Sequence, residues 1–493
     1  MMTLTVASLI ESDIASAARS ARLAFSQGAD VVEVRLDHFR DPGPETVKKL
    51  RREILGPAIA TLRSKSEGGE SIHGPDERAR MLIAALESSF EYVDFELETD
   101  KKLLRKLAKE DWESEAIVSA HILEPTTRAN VEKTLREASA LGDIAKVAMQ
   151  CDSATDALML CEIGLGLSGR KKKYVLLGMG GQGQVTRAVA DTIGSCMAFS
   201  CLEGRAAAPG QLDTITQCNI LNSPRLVFGL IGHPVSHSVS KPMQEAALAA
   251  LGMAGIYLPL DFEPGTFDRK ALRTMQRVGF SGVNVTIPYK GKAFELCDDV
   301  MQNAEATRAV NTIAFKRARF VGENTDVKGF SSSVDGKIYI LRDSKALLIG
   351  AGGVARAIAY VLSERGARIT ITDINMKAAN QLARSSHGRP VTLKKLIKSD
   401  EAFDIVVNCS PVGMKGQPGN PIKSSLLRYR STYFDVIYNP PVTEAMALAR
   451  ESGARVFGGL EMLVQQGAES FRLWTGIEPN VYAMREAARR ALE

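Results

Sequence analysis

Residues 345–375 carry the clearest structural pattern of the chain, KALLIGAGGVARAIAYVLSERGARITITDIN. An apolar run leads into a glycine-rich turn at Gly350–Ala355, a helical stretch follows, and a second apolar run ends at Asp373. Glycines in such a turn let the backbone approach a pyrophosphate, whose charge the helix N-terminus stabilises. The acid 23 residues after the first glycine (373 − 350) suits a ribose hydroxyl. The pattern predicts a Rossmann-type dinucleotide-binding domain, which we place at residues 331–464.

The sequence around this unit has a different pattern. From Leu226 onward, short apolar runs alternate with loops rich in Ser, Thr, Asn and Asp. We expect a ligand-binding α/β domain over residues 225–330, completed by helices at about 465–493. The polar, turn-rich residues 218–225, CNILNSPR, form the predicted linker to the first half of the chain.

The first half contains eight short β-branched runs, and most gaps between them can hold a helix. Eight strands alternating with helices over about 200 residues predict a closed (β/α)8 barrel, placed at residues 1–220. In such barrels the chemistry lies at the carboxyl ends of the strands. The runs are Leu4–Leu9, Val31–Leu36, Ala58–Leu62, Tyr92–Leu97, Ala116–Ala120, Ile144–Met149, Tyr174–Leu177 and Met197–Cys201.

Lys146 is one of several charged residues in these runs, although interior barrel strands are apolar by default. Burial disfavours the charged form of an amine, and an uncharged amine can attack a ketone to form an imine. His121 lies at the end of the preceding strand. The pair favours a Schiff-base lyase or aldolase. An ion-paired lysine at a strand end and a satisfied core histidine are the alternatives.

Composition excludes several functional classes. The 493 residues carry 62 Lys and Arg against 57 Asp and Glu, a mildly basic balance that suits small anionic substrates but argues against nucleic acid. Seven cysteines without a CxxC pair indicate reduced cysteines of a cytoplasmic protein that holds no metal. The sequence has no apolar run of about 18 residues, so no membrane span is expected. The oligomeric state stays open.

Several motifs of the first half resemble the type I 3-dehydroquinate dehydratases. They are ADVVEVRLDHF, ATLRSKSEGG, VSAHILEP, DIAKVAM, GMGGQGQVTR and AAAPGQ, in that order across nearly all of residues 1–220. The resemblance implies that Lys146 forms an imine with the substrate ketone, that His121 is the general acid and base, and that Glu33 orients His121. It also implies a carboxylate clamp and pocket residues, which are Arg63 and Arg187, and Arg35 and Gln211. Ala207 departs from the family, which usually has Ser there.

The second half resembles the shikimate dehydrogenases across residues 226–493. The matching motifs are GHPVSHSVS, GVNVTIPYK, AVNT, ENTD, GAGGVAR, NCSPVGM, DVIYNP and GLEMLVQQGAESFRLWTG. By this resemblance Lys290 and Asp326 are the catalytic pair, and Ser238 and Ser240 hold the substrate carboxylate. The implied ring contacts are Thr286, Asn311, Tyr438 and Gln466. The implied cofactor contacts are Gly350, Gly352, Gly353, Val354, Ala355, Asp373, Asn408 and Ser410.

Three positions depart from the dehydrogenase pattern. Lys241 replaces the usual Pro, and Gln244 stands where His is common. Ile374 replaces the Arg that would grip a 2′-phosphate, and Asp373 repels phosphate. We therefore expect good use of NAD, although the family default is NADP and Arg356 or a downstream Lys could supply a cation.

Together the two resemblances imply a bifunctional shikimate-pathway enzyme. It would dehydrate 3-dehydroquinate to 3-dehydroshikimate and reduce that ketone to shikimate, so its partners would be small ring carboxylates. Three alternatives stay open at this point. The barrel could be another Schiff-base lyase or an aldolase, the chain could be a non-catalytic ligand-binding regulator, or the second half could oxidise quinate.

Overall fold

The computed structural model describes residues 2–107, 110–169, 171–338, 340–399 and 401–493. The chain forms two compact units. The first consists of Met1–Val227 with Ala254–Phe280, and the second consists of Phe228–Met253 with Ser281–Glu493.

The predicted (β/α)8 barrel is confirmed in the first unit. Its strands form one parallel sheet in the order β7-β6-β5-β4-β3-β2-β1-β8, and β8 pairs back onto β1. At the β7–β8 seam the Cys196 N–H donates to the Tyr174 carbonyl over 2.9 Å, so the barrel is nearly closed. The strands are β1 (Leu4–Leu9), β2 (Val31–Arg35), β3 (Ala58–Thr61), β4 (Tyr92–Glu96), β5 (Glu115–Ile122), β6 (Ile144–Gln150), β7 (Lys173–Met179) and β8 (Met197–Cys201).

Helices follow the strands in alternation. They are α1 (Ile14–Ser26), α2 (Pro44–Glu53), α3 (Pro75–Glu87), α4 (Lys101–Leu107), α5 (Arg128–Ser139), α6 (Ala154–Leu167), α7 (Gly180–Ala188) and α8 (Thr214–Asn222), with short 3-10 helices at Leu36–His38 and Lys65–Glu67. Both faces of the strands are buried, which is why the strand runs in the sequence are almost continuously apolar.

The substrate-domain sheet expected at residues 225–330 has the strand order β10-β9-β11-β13-β14-β12. Its elements are β9 (Leu226–Gly232), α9 (Ser240–Ala250), β10 (Gly255–Asp261), α10 (Arg269–Arg277), β11 (Phe280–Val285), α11 (Lys290–Leu296), β12 (Asp299–Val300), α12 (Gln302–Thr307), β13 (Thr312–Lys316), β14 (Arg319–Glu323) and α13 (Thr325–Val334). The third of these strands along the chain, β11, ends at Val285, directly before Thr286.

The predicted Rossmann-type domain is confirmed. Its parallel sheet has the order β17-β16-β15-β18-β19-β20, which is the doubly wound arrangement with the first strand at the centre. Its elements, with the C-terminal helices, are β15 (Lys345–Ile349), α14 (Gly353–Glu364), β16 (Arg368–Thr372), α15 (Met376–Ser385), β17 (Arg389–Pro390), α16 (Leu393–Ile397), β18 (Phe403–Asn408), a 3-10 helix (Ser424–Leu426), β19 (Leu427–Asp435), α17 (Glu444–Glu451), β20 (Arg455–Phe457), α18 (Leu460–Thr475) and α19 (Val481–Arg490).

Two further findings bear on the expectations from composition. The seven cysteines form no disulfide, and five of them are buried. Within the described ranges, no helix combines the length and the apolar character needed to cross a bilayer.

A close backbone approach inside the barrel yields a stability prediction. A Cβ on Gly183, in α7, would overlap the backbone of Gly178 at the end of β7, whereas a Cβ on Gly181 would meet no atom within 4 Å. We expect Gly183→Ala to lower the free energy of unfolding by about 1–3 kcal/mol through overpacking. The matched variant Gly181→Ala should be neutral or stabilising by up to about 1 kcal/mol, because Ala favours helix. Thermal and urea unfolding measure both effects, and equal stabilities would contradict the close approach.

Candidate active sites

The barrel interior changes from apolar to polar along each strand. Alternate residues of a strand point the same way, so Ile144 and Lys146 both face the interior, as do Ile117 and Ser119. The apolar members pack into one buried cluster, and the residues two positions further along form a buried polar layer toward the carboxyl ends. The polar layer consists of Ser8, Glu33, Thr61, Asp94, Ser119 and Lys146.

Lys146 lies in this layer between two carboxylates. Its Nζ is 3.0 Å from Asp94 Oδ2 and 3.4 Å from Glu33 Oε1, and it sits 4.0 Å from the centre of the Phe199 ring. Burial would raise the pKa of Glu33, but Lys146 and Arg35 hold that pKa below its usual value. Burial also opposes ionisation of Asp94, yet Arg63 and Lys146 lower its pKa. Both carboxylates are therefore ionised and stabilise an ammonium at Lys146.

His121 is held by a glutamate that the sequence analysis did not single out. The backbone N–H of His121 donates to Glu67 Oε2 over 3.0 Å, and the ring Nδ1 lies 3.0 Å from the same oxygen. The expectation that Glu33 orients His121 is therefore wrong. Glu33 instead accepts from Ser8 over 2.7 Å and from Thr61 over 3.0 Å, besides its contact with Lys146.

The charges around His121 set its protonation. Burial, followed by the nearby Arg63 and Lys146, lowers the pKa of His121 well below its usual value. Burial raises the pKa of Glu67 to about 7, although Arg63 opposes that shift. An ionised Glu67 accepts a hydrogen bond from Nδ1–H, which leaves Nε2 of the neutral ring as a proton acceptor.

The two arginines expected to clamp a carboxylate differ in their surroundings. Arg63 is surrounded by protein groups: it bonds Asp94 over 2.9 Å, Glu67 over 3.0 Å and Glu96 over 3.2 Å. This arrangement does not fit the expected clamp, because three carboxylates already surround the guanidinium.

Arg187 is also buried, but it forms no ion pair with a carboxylate among the described residues. Its Nη1 donates to the Phe199 carbonyl over 2.7 Å, and its Nε has no hydrogen-bond partner among the described residues. Burial lowers the pKa of Arg187 to about 10. A buried guanidinium with an unused donor favours an incoming anion.

Arg35 and Gln211 complete the expected residues of the barrel site. Arg35 makes a two-point ion pair with Asp37, with distances of 2.9 and 2.7 Å, and is largely enclosed. Gln211 lies in the loop between β8 and α8, where its Nε2 donates to Ser8 Oγ over 3.3 Å.

In the second unit, the residues expected around the substrate ring converge. Lys290 opens α11, and its Nζ lies 2.5 Å from Asp326 Oδ2, in the first turn of α13. Asn311 donates to Asp326 Oδ1 over 2.9 Å and to Gln466 Oε1 over 3.3 Å. Asp326 is not the helix cap, since Asn324 occupies that position and accepts from the Asp326 N–H. The lysine is thus oriented by a carboxylate that is itself held by an amide.

The paired serines lie beside Tyr438. Ser238 Oγ and Ser240 Oγ are 3.0 Å apart, and the Ser240 N–H donates to Ser238 Oγ. Burial raises the pKa of Tyr438, although a hydrogen bond with Ser238 opposes the shift, so the phenol keeps its proton. Thr286 directly follows β11, and its N–H donates to the Ile231 carbonyl over 2.8 Å.

The glycine-rich turn joins this cluster. Gly350 has φ +105°, which favours glycine, and the helix α14 begins at Gly353, two residues earlier than expected. A Cβ on Gly353 would lie 2.8 Å from Lys290 Cδ, so the turn passes directly beside the catalytic candidate. A Cβ on Gly352 would meet no atom within 4 Å, so the backbone there is open to a ligand. Val354 and Ala355 follow in the first turn of α14, whose free N–H groups fit a pyrophosphate.

Asn408 holds a loop in place. Both polar atoms of its side-chain amide are hydrogen-bonded within the protein. Its Nδ2 donates to Asp435 and to the Val412 carbonyl, each over 3.1 Å, and its Oδ1 accepts from the N–H and hydroxyl of Ser410. The side chain is fully buried. This arrangement does not fit the expected direct cofactor contact. Asp435, a buried acceptor that the sequence analysis missed, also accepts from Thr443 over 2.8 Å.

The segment after β16, which is expected to select between NAD and NADP, contains the acidic residue Asp373 and the apolar residue Ile374. Asp373 accepts from the N–H groups of Ala351 and Asn375, each over 2.7 Å. Ile374 is fully exposed. Arg356 donates to the Arg308 carbonyl over 3.2 Å.

The geometry defines two chemical classes in one chain: a barrel with a buried lysine beside a histidine, and a Rossmann-type dehydrogenase with a lysine–aspartate pair. Family models agree. Type I 3-dehydroquinase matches residues 5–223, the shikimate dehydrogenase substrate binding domain 230–313, shikimate / quinate 5-dehydrogenase 334–412, and the shikimate 5′-dehydrogenase C-terminal domain 459–489.

Comparison with individual proteins points to the same two enzyme classes. A chloroplastic bifunctional 3-dehydroquinate dehydratase/shikimate dehydrogenase of Arabidopsis thaliana is 30% identical over 91% of this chain and 78% of its own. A shikimate 5-dehydrogenase of Thermus thermophilus, solved with NADP(H) and shikimate, is 36% identical over 54% of this chain and 100% of its own, with TM-score 0.50. A quinate dehydrogenase of Corynebacterium glutamicum, solved with NAD, is 32% identical over 54% of this chain and 99% of its own, with TM-score 0.50.

This chain therefore belongs to the family of bifunctional 3-dehydroquinate dehydratases/shikimate dehydrogenases. It combines a dehydratase and a shikimate dehydrogenase in one polypeptide.

The Glu67–His121 contact predicts a pH dependence of the dehydratase. Because the pKa of Glu67 is raised to about 7, the carboxylate that accepts from His121 forms as the pH rises through that value. We expect dehydratase kcat to increase over this range. In Glu67→Gln, kcat should fall by about tenfold or more and lose this dependence. Steady-state rates between about pH 5.5 and 8.5 measure the effect.

The exposed Glu110→Gln is the control and should keep the wild-type profile. Stability gives a second readout. Folded Glu67 holds its proton more tightly than the unfolded chain does, so the free energy of unfolding should fall as the pH rises from about 4.5 to 7. An unchanged pH profile in Glu67→Gln would contradict the assigned contact.

Proposed function

We propose that Lys146 performs the dehydration through a Schiff base. Its Nζ would lose a proton and attack the ketone carbon of 3-dehydroquinate, and loss of water from the adduct would give a protonated imine. The imine draws electrons from the neighbouring C–H bond, which acidifies that proton. Hydrolysis of the imine would release 3-dehydroshikimate and restore the amine. The position of Lys146 in the buried polar layer, paired with Asp94 and Glu33, supports this proposal, because these contacts hold the amine in the barrel interior. The proton that Nζ loses would leave on the former ketone oxygen as part of the water.

His121 would move protons on the substrate. Its ring is neutral because of its lowered pKa, so Nε2 can remove the acidified proton. The same nitrogen would then return that proton to the departing hydroxyl, and one water molecule leaves. Glu67, in place of the expected Glu33, would fix the tautomer.

The substrate carboxylate would bind at Arg187. The unused Nε donor and the absence of a carboxylate partner among the described residues distinguish it from Arg63. Arg63 would instead neutralise the cluster that holds Glu67 and Asp94. Arg35 and Gln211 would line the pocket.

The second site would reduce the product of the first. When bound, a nicotinamide cofactor supplies the hydride that reduces the ketone carbon of 3-dehydroshikimate. Lys290 would give a proton from Nζ to the ketone oxygen, Asp326 would orient the lysine, and a proton from solvent would restore the ammonium. The close approach of Gly353 to Lys290, where an added Cβ would lie 2.8 Å from Cδ, supports this placement, because it brings the dinucleotide turn to the proton donor.

The remaining residues would bind the ring. Ser238 and Ser240 offer two hydroxyls close enough to hold one carboxylate, and Tyr438 lies against Ser238. Thr286, Asn311 and Gln466 would contact the ring hydroxyls.

We infer that this enzyme uses NAD well. Asp373 places a carboxylate at the position that meets the ribose in Rossmann-type folds, where it suits a free 2′-hydroxyl and repels a 2′-phosphate. Ile374 carries no charge, and the guanidinium of Arg356 is bonded to a backbone carbonyl. Both NADP and NAD occur in the solved relatives, so the family alone does not decide the preference.

The domain boundaries are also part of this proposal. We assign residues 1–220 to the dehydratase, 225–330 with about 465–493 to the shikimate-binding domain, and 331–464 to the dinucleotide-binding domain. A cytoplasmic location fits seven cysteines that form no disulfide.

Substitution of each lysine separates the two activities. In a coupled assay with 3-dehydroquinate and NADH or NADPH, Lys146→Ala should block dehydration by at least about 1,000-fold and leave reduction of added 3-dehydroshikimate intact. Lys290→Ala should lower reduction by about 100-fold or more and leave dehydration intact. Loss of both activities in either variant, with an unchanged melting temperature, would contradict the assignment of separate sites.

Cofactor preference is tested by a substitution at the exposed position. Wild-type kcat/KM with NADH should equal or exceed that with NADPH, and Ile374→Arg should raise kcat/KM for NADPH by about tenfold through a charge-assisted bond to the 2′-phosphate. Leu341→Arg, at another exposed apolar residue of the domain, should change neither value. A large NADPH advantage in the wild type would overturn the inference.

A further inference from the structure

The loop at residues 202–211, here called the lid loop, joins β8 to α8 beside the barrel site. Its far end reaches the polar layer through Gln211, whose Nε2 donates to Ser8 Oγ over 3.3 Å. Ser8 Oγ in turn donates to Glu33 Oε2 over 2.7 Å, and Glu33 contacts Lys146 over 3.4 Å. A continuous row of hydrogen bonds therefore links the lid loop to the amine.

The side chains in the middle of the lid loop make no hydrogen bonds to the barrel. Ala206, Ala207 and Ala208 carry no hydrogen-bonding side chain. The N–H groups of Ala207 and Ala208 donate to Gln211 Oε1 over 2.7 and 3.2 Å, which shapes the loop but does not tie it to the barrel. The tip meets the barrel at Gly180, whose N–H donates to the Pro209 carbonyl over 3.0 Å and whose backbone lies directly against Gly210.

The near end of the lid loop is tied to the barrel by a charged contact. Arg205 Nη1 donates to Glu11 Oε1 over 2.8 Å and to Ser20 Oγ over 3.3 Å. Ser20 Oγ donates to the same Glu11 oxygen over 2.6 Å and so holds the carboxylate in place. The Glu11 side chain is 15% exposed and that of Arg205 is 57% exposed. A half-exposed ion pair is weak, so its loss would loosen the loop without unfolding the barrel.

We propose that Arg205 is a positioning residue of the dehydratase, acting as a latch. Its ion pair with Glu11 holds the lid loop closed, and the closed loop keeps Gln211 against Ser8, which fixes Glu33 beside Lys146. Arg205 touches neither substrate nor Lys146 and acts only through the loop. The proposal rests on the assignment of Lys146 as the amine that bonds the substrate.

The test is dehydratase kinetics of the full chain with 3-dehydroquinate. Arg205→Gln should raise KM by about two- to fivefold, the effect of losing one partly exposed ion pair, with kcat within about twofold of wild type. Arg205→Lys, which keeps the charge, should stay near the wild-type KM. The double variant of Arg205→Gln with Glu11→Gln should be no worse than either single variant, because both break one contact.

Two controls separate the latch from general destabilisation. Lys173→Gln breaks an ion pair with Glu115 at the starts of β7 and β5, away from the lid loop, and should leave dehydratase KM unchanged. Shikimate dehydrogenase activity of the same chain should be unchanged in every variant. Unchanged KM in Arg205→Gln, additive effects of the two substitutions, or an equal loss of dehydrogenase activity would overturn the latch. Retained dehydration by Lys146→Ala would instead overturn the Schiff-base assignment.

Discussion

The barrel site depends on the pairing of one buried ammonium with two carboxylates. Lys146 lies beside Asp94 and Glu33 in a layer closed to water, where an unpaired charge costs several kcal/mol or more. The pairing satisfies all three charges at once and fixes the amine in the middle of the barrel. The positions of other charged groups depend on this pairing. Arg63 forms ion pairs with both Asp94 and Glu67, and Glu67 in turn contacts His121. The site is therefore one electrostatic network.

The two halves of the chain use a lysine–carboxylate pair in different ways. In the barrel, Asp94 and Glu33 hold Lys146 in the buried polar layer, where we propose that it bonds the substrate. In the dehydrogenase, Asp326 bonds Lys290 over 2.5 Å, and Asn311 holds the other oxygen of the carboxylate. That arrangement orients the amino group of Lys290. In the proposed mechanisms, lysine therefore serves covalent chemistry in one site and acid catalysis in the other.

The sequence predicted the strands well, since they follow from local patterns. The short β-branched runs, and Lys146 within one of them, are visible without a structure. The partner of His121 was not predictable in this way. Glu67 reaches it because the loop after β3 folds back, with Gly69 packed against the Arg63 backbone, and such a return depends on tertiary contacts. Asn408 was misassigned for the same reason, since its buried partner Asp435 lies on a different strand.

The most direct test of this account is chemical trapping of the imine. Full-length protein is incubated with 3-dehydroquinate, reduced with borohydride, digested, and analysed by peptide mass spectrometry. The account predicts a stable adduct on the peptide that contains Lys146, absent when substrate is omitted and absent in Lys146→Ala. Full dehydratase turnover without any adduct, or an adduct confined to another lysine, would contradict it.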